Sequence, residues 1–430
     1  QEVKISTPRG EPIEATAGAF FYWEQFRLRG LRAYGGQAGV WFGNPTTPAA
    51  TLVARTALDW LTRNTYTNPE TNSIAPFSHV VWHVSPELDV SAGLRYSFTA
   101  RTAIATGQVQ GQSLDGLDPA QQAQALTLRS NQLGPASYYY GAATHQGFVS
   151  GLLSVSYKVA PDALVYATYS RGARPGGPNI AYAAAYLPAA AKPTVKGEEL
   201  DNYEVGVKSE LFDRRLLANF AAFWMVDRNY ITNVVDLSPS GTTTTYLANA
   251  KRAISRGVEA DLRAQPIDGL NLYGSATFND AFFDSFNSAP CPVELSNVNK
   301  TCNFTGKRLA LVPRWAFAAG GEYTRPLDAT LPFLDKALVG FIGADFNWQS
   351  AFYSDTSDSI YSVIHPYGLL NLHIGVAAAD ESVRLTGWIH NALDKHYYTN
   401  QQPALIVGAG LVSSTVGDPL MAGVTLAAKW

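Results

Sequence analysis

The chain has 430 residues, 46% hydrophobic and 16% charged, and its 32 Lys and Arg against 35 Asp and Glu leave a formal net charge of -3. So even a balance gives no basic footprint for a nucleic acid. No apolar run reaches the ~18 residues of a helical membrane span.

In chain order, QEVKIST (1–7) reads as a strand and PRGEP (8–12) as a tight turn. Further tight connections fall at SPEL (85–88), APDA (160–163), FDRR (212–215), PIDG (266–269) and DE (380–381), with a longer one at 326–335. Between them lie polar, Gly/Pro/Asn-rich excursions at 30–74, 105–146, 172–198, 285–306 and 392–418, all read as loop. IAYAAAYLPAAA (180–191), interrupted by Pro188, belongs to one of them. Clipped turns on one side and long loops on the other are what antiparallel strands crossing an outer membrane produce.

The strands carry a period of two. Leu216, Ala218, Phe220, Ala222, Trp224 and Val226 share a face opposite Arg215 and Asn219. Val258, Ala260 and Leu262 oppose Glu259, Asp261 and Arg263, and Leu370, Leu372, Ile374 and Val376 oppose Asn371 and His373. In the last segment Ala422, Val424, Leu426, Ala428 and Trp430 alternate with Gly423, Thr425, Ala427 and Lys429. Trp315 and Tyr323 fall on one face, about 26 Å apart along a strand, which a tilt near 40° reduces to roughly 20 Å of height, close to the ~25 Å apolar band between aromatic girdles. The aromatic content of 12% suits such girdles.

About fifteen strands are expected, whereas a single-chain bacterial barrel has an even number. Unpaired edges in lipid cost several kcal/mol per polar group. The fold class is therefore all-β: a transmembrane antiparallel β-barrel of which residues 1–430 form one partial domain, the C-terminal part of a larger wall. With the last strand running towards the periplasm, parity puts every tight turn on the periplasmic side and both cysteines outside.

Cys291 and Cys302 sit in one polar loop, the pattern of a disulfide in an oxidising compartment. Closing so short a loop constrains the unfolded chain by about 3 kcal/mol in the entropy model. His79 and His83 share a strand face about 13 Å apart, too far to hold one ion. GARPGG (172–177) lacks the Lys-Ser/Thr of a phosphate loop, and no G-x-S-x-G elbow appears. Glu198 and Glu199 read as a solvated rim, and no cofactor motif, metal site or catalytic constellation stands out. Asn299 and Asn303 head sequons that mark exposure at most. Tyr138, Tyr139, Tyr140, Tyr397 and Tyr398 are candidate loop aromatics for stacking on a ligand, or else girdle and packing residues.

Five segments, in order, resemble the TonB-dependent outer-membrane receptors. LLSVSYKVAPDALVYATYSRGARPGGPN (152–179) is similar to the family's strand–turn–strand, with Pro178 in a usual Phe place, and EELDNYEVGVKSELFDRRLLANFAAFW (198–224) to its next hairpin. NAKRAISRGVEADLRAQPIDGLNLYGSATFNDAFFDSF (249–286) resembles the one after, TGKRLALVPRW (305–315) a strand entry, and HNALDKHYYT (390–399) the segment near the family's end. The terminal aromatic Trp430 resembles the signal read by the barrel-assembly machinery, usually Phe.

The resemblance implies about fifteen strands of a 22-stranded barrel, with the plug domain and first strands upstream. It further implies an outer-membrane receptor, not an enzyme. Such a receptor takes up a scarce solute such as an iron–siderophore chelate and couples through its upstream region to the TonB–ExbB–ExbD complex. A passive porin-like channel would explain the strands and loops without the ordered segments. A secreted all-β carbohydrate-active enzyme would instead be soluble without detergent.

Overall fold

The computed structural model describes residues 1–180, 192–237, 243–289, 291–292, 294–295, 301–331, 336–403 and 412–429. One antiparallel sheet dominates. In chain order its strands are β1 (Glu2–Ser6), β2 (Ile13–Gln25), β3 (Thr62–His83), β4 (Leu88–Gln110), β5 (Ser137–Ala160), β6 (Ala163–Arg174), β7 (Glu198–Leu211) and β8 (Leu216–Arg228). They continue as β9 (Arg252–Ala264), β10 (Leu270–Ser285), β11 (Trp315–Leu331), β12 (Lys336–Gln349), β13 (Tyr367–Ala378), β14 (Val383–His390) and β15 (Met421–Ala428). Each pairs with the next, so these fifteen form one meander, and a short sixteenth strand, Leu28–Ala33, pairs with β3. Among the described residues no pairing joins β1 to β15.

Register sorts the side chains into two faces. Val205, Ala222, Val258 and Phe278 form one cross-strand row. Lys208, Asn219, Asp261 and Ser275 form a row on the opposite face. On the apolar face Val205, Phe220, Val258, Ile342, Ile374 and Val424 are each 50% or more exposed. A continuous oily surface of this extent needs a nonaqueous neighbour. Trp315 and Tyr323 both lie on it, 42% and 38% exposed. No described helix is long and apolar enough to cross a membrane, so any crossing is made by strands.

The tight turns fall where the sequence puts them. Gly269 closes PIDG at φ +82°, and an added Cβ there would lie 2.2 Å from the Thr324 carbonyl oxygen. FDRR uses no glycine, and Phe212, Asp213 and Arg214 take φ of 55°, 55° and 66°. The connection expected at 326–335 is instead ribbon. Strand β11 runs to Leu331 and pairs Pro326 with Val339 and Thr330 with Ala337 across an irregularity; residues 332–335 lie outside the described set.

The long excursions are more ordered than loop. Strands β3, β4 and β5 have 22, 23 and 24 residues, about twice the ~9–11 that span a bilayer. Residues 62–74, 105–110 and 137–146, read as loop from their polarity, are the far ends of these strands. The excursions also contain helices α1 (Ala38–Gly43), α2 (Pro48–Leu58) and α3 (Pro119–Leu133). Thr47 caps α2, and Asp118 and Gln121 form a reciprocal capping box on α3. The helices bury Val53, Leu58, Leu61 and Leu133 in a small core. Gly39 lets α1 meet α2, since a Cβ would come within 2.5 Å of the Arg55 backbone. Val109 packs on this core and Arg63 Nη1 donates to the Leu133 carbonyl at 2.9 Å, so the helical unit stands on the polar side of the sheet.

A second small core gathers Phe283, Phe286, Phe304, Val234 and Tyr246 beneath the hairpin Ile231–Leu237/Thr243–Asn249. The disulfide Cys291–Cys302 borders it, with Cys302 packed on the cluster. Residues 181–191, which hold most of IAYAAAYLPAAA, lie outside the described residues, as do Asn299 and Trp430.

Candidate functional site

The polar face carries fixed charges tied to one another along neighbouring strands. Glu322 on β11 accepts from Arg384 Nη2 at 2.7 Å, and His373 Nε2 lies 3.0 Å from the same oxygen. His373 Nδ1 lies 3.8 Å from Asp345, which also accepts from Tyr273 Oη. The Arg384 guanidinium covers the Phe341 ring at 3.6 Å. Nearer the sheet's other half, Tyr166 donates to Glu204 at 2.7 Å and Lys208 lies 5.4 Å over the Tyr166 ring. Such a wall can orient polar solutes or a protein segment running alongside it. Among the described residues no group of three His, Cys, Asp or Glu side chains is placed to hold a metal ion. His83 pairs with Asp89 at 2.6 Å, apart from His79.

Above the wall the excursions are knitted together. Asn179, 1% exposed, donates through Nδ2 to the carbonyls of Lys192 at 3.1 Å and Leu247 at 2.9 Å, and accepts from Leu247 N–H. Arg101 Nη1 donates to Pro175 and Gly176 carbonyls at 2.9 and 3.2 Å. Glu198 accepts from Ile231 N–H and Arg174 Nη2, both at 2.6 Å. It is therefore a partly buried joint between excursions, its side chain 13% exposed, and not the solvated rim expected from sequence. Thr356 donates to the Asn233 carbonyl at 2.8 Å, and Ser354 Oγ bridges Gln401 N–H and C=O. Both oxygens of Asp358 are buried without a hydrogen-bond partner, and burial pushes its carboxyl up to about 6 against the pull of Lys307 and Arg308.

The candidate tyrosines do not form one platform. Residues 138–140 lie on β5, where alternation sends Tyr138 and Tyr140 to the polar face and Tyr139 to the apolar face, 73% exposed. The Tyr140 hydroxyl, on a ring 7% exposed, donates to the Pro193 carbonyl at 2.5 Å, and Arg63 lies 4.8 Å over the Tyr138 ring. Tyr397 packs on Tyr367 at 4.4 Å between ring centres, and Tyr398, 47% exposed, opens the strand Tyr398–Pro403. The sequence marks neither Asn179 nor Glu198 as a joint. Asn179 had a signal, as the Asn closing the GARPGGPN string; Glu198 had none.

A meandering sheet with one oily face, one charged face, clipped turns and knitted excursions defines a transmembrane β-barrel wall. The family model described as "TonB dependent receptor-like, beta-barrel" matches residues 11–392, and the chain belongs to that family. The pesticin receptor of Yersinia enterocolitica is 26% identical over 352 residues, 80% of this chain and 42% of that protein. The metal-pseudopaline receptor CntO of Pseudomonas aeruginosa is 26% identical over 260 residues, 60% of this chain and 31% of that protein. In fold, the ferric yersiniabactin uptake receptor FyuA of Yersinia pestis aligns with TM-score 0.66 at 18% identity, over 99% of this chain and 52% of that one. The siderophore receptor PiuA of Acinetobacter baumannii aligns with TM-score 0.62 at 16% identity, over 98% and 54%. The chain thus spans about half the length of the relatives it matches or less. These relatives are receptors by name.

Proposed function

We propose that this chain is the C-terminal part of the barrel of an outer-membrane importer that takes up a metal chelate of the siderophore class. The work is driven from the inner membrane by the TonB–ExbB–ExbD complex acting through the upstream region. The observation that carries the reading is the family match over residues 11–392, on a sheet whose charged face would line the passage. Two of the receptors it resembles are named for ferric yersiniabactin and metal-pseudopaline, which supports a chelated metal as cargo. Tyr398, with the half-buried Tyr138 and Tyr397, supplies rings for contact with such a ligand. Tyr139 faces the lipid side and Tyr140 is spent on packing. Trp430 would serve as the assembly signal.

The test is uptake of radiolabelled ferric siderophores, offered as a panel, by cells whose only such receptor is the full-length protein. Uptake of at least one chelate, abolished when TonB is deleted, is expected. Uptake that persists without TonB, together with a steady open conductance in a planar bilayer, would overturn the reading in favour of a diffusion channel.

A further inference from the structure

On the apolar face of β6 to β10, successive cross-strand rows change character in order. The row Ala167, Val205, Ala222, Val258, Phe278 is oily. Two residues towards the excursions, Tyr169, Tyr203 and Trp224 form an aromatic row that ends in Arg256 and Asp280. Beyond it the same face carries Arg171 and Asp201, then Glu199, Arg228 and Arg252, with Asp284 at the end of β10. Oil, aromatic ring and charge in succession is the profile of the boundary between hydrocarbon and headgroups.

The charges nearly cancel in number, but not in exposure. Arg171 pairs with Glu199 and Asp201, Arg228 with Asp201, and Arg252 with Asp284. Asp280 receives Arg256 at 3.1 Å and Arg314 at 2.9 Å. The side chains of Asp201, Asp280 and Asp284 are only 4%, 16% and 25% exposed, whereas Arg228, Arg252, Arg256 and Arg314 are 45–51% exposed. The carboxylates lie underneath and hold the guanidiniums in place. A guanidinium has five N–H donors in a planar fork, and the carboxylates use only some of them, so outward donors remain for two oxygens of a further anionic acceptor such as a phosphate. Arg256 is further fixed between the Trp224 and Phe282 rings, at 5.3 and 5.4 Å.

A second feature lies directly beside this belt. A groove of about 560 Å³ runs along the same face, lined by Leu153, Val155, Tyr169, Tyr203, Val205 and Trp224. The small side chains Ala167 and Ala222 form part of its lining. Its apolar lining suits a hydrocarbon chain, and its aromatic end, Tyr169, Tyr203 and Trp224, lies one cross-strand row from Arg171 and two from Arg228.

We infer that this sector is a lipid-binding site, in which the arginine belt takes the phosphate of an anionic lipid headgroup and the adjoining groove takes one of its acyl chains. The inference rests on the membrane-spanning reading of the sheet but not on the identity of the imported solute.

The full-length protein, purified in a zwitterionic detergent, is moved into phosphatidylcholine nanodiscs containing a small fraction of fluorescent bis-phosphorylated lipid A. Binding is read by energy transfer from the tryptophans. Enrichment of the phosphorylated lipid around the protein is expected, falling at least tenfold for Arg228→Gln/Arg252→Gln/Arg256→Gln and largely kept in the triple Lys variant. Ala222→Phe, which fills the groove and leaves every charge in place, weakens binding as well. Asp280→Asn, which frees two guanidiniums, strengthens it. Folding of each variant is checked by heat-modifiable migration in gels, and an unfolded Gln variant leaves the Ala222 and Asp280 arms to decide. Equal affinity for phosphatidylcholine and lipid A, or an unchanged response in Ala222→Phe and Asp280→Asn, overturns the proposal. Competition by inorganic phosphate at concentrations comparable to the lipid would likewise reduce the belt to a free-anion site.

Discussion

Asp358 shows how a single side chain reports on the excursions. Its two oxygens are enclosed without a donor, and its neighbours Lys307 and Arg308 lower the cost of ionisation only partly. A carboxyl with a folded-state value of about 6, against ~3.9 in an unfolded chain, binds its proton more tightly when folded. Its contribution to local stability is therefore fully present below about pH 4 and is lost as the pH rises towards about 6. Hydrogen exchange of residues 352–364, corrected for intrinsic rates, should show protection falling across that window, and Asp358→Asn should flatten the dependence. A protection profile that is level from pH 4 to 7 in the unchanged protein would contradict this account. Asn179 and Glu198 belong to the same scale. Each sits where an excursion would otherwise leave buried backbone donors or acceptors unmet, and loss of such a partner costs about 1–3 kcal/mol.

At the scale of elements, legibility followed the solvent. Between the girdles one face of each strand must be oily, so Leu216 to Val226 and Leu370 to Val376 announce themselves by alternation. Beyond the membrane both faces of a strand meet water or other excursions, and the alternation is no longer required. Residues 62–74 (TRNTYTNPETNSI) are strand in fact but read as loop for that reason. Helices α2 and α3 were hidden in the same excursions, although Thr47-Pro48 and Asp118-Pro119 with Gln121 carried start signals. The candidate tyrosines fared worse because a triplet on a strand cannot face one way. The cysteine pair, by contrast, was legible from its spacing, the structure joins the two sulfurs, and the pairing is open to a chemical test. Alkylation without reductant followed by intact mass should find Cys291 and Cys302 both blocked and released by reductant. Two labelled thiols in the unreduced protein would refute the pairing. With the disulfide removed, the adjoining cluster is expected to open locally at Phe286 and Phe304, which lie beyond the end of β10, while Phe283, paired with Ala253, stays in the sheet.

At the scale of the whole molecule, every functional statement depends on the sheet having one face in lipid and the other on an aqueous passage. The charged network around Glu322 and His373, the knitted excursions and the arginine belt take their meaning from that division. The direct measurement is a single-cysteine scan of Leu216–Val226 in full-length protein with Cys291 and Cys302 replaced by Ser, probed in intact outer membranes. A membrane-impermeant maleimide should label cysteines at Leu217, Asn219, Ala221 and Phe223. Cysteines at Ala218, Phe220, Ala222 and Trp224 should resist it and react with a lipid-dissolved reagent instead. Labelling without a period of two, or water-soluble reagent reaching both sets alike, would contradict a wall that divides lipid from water.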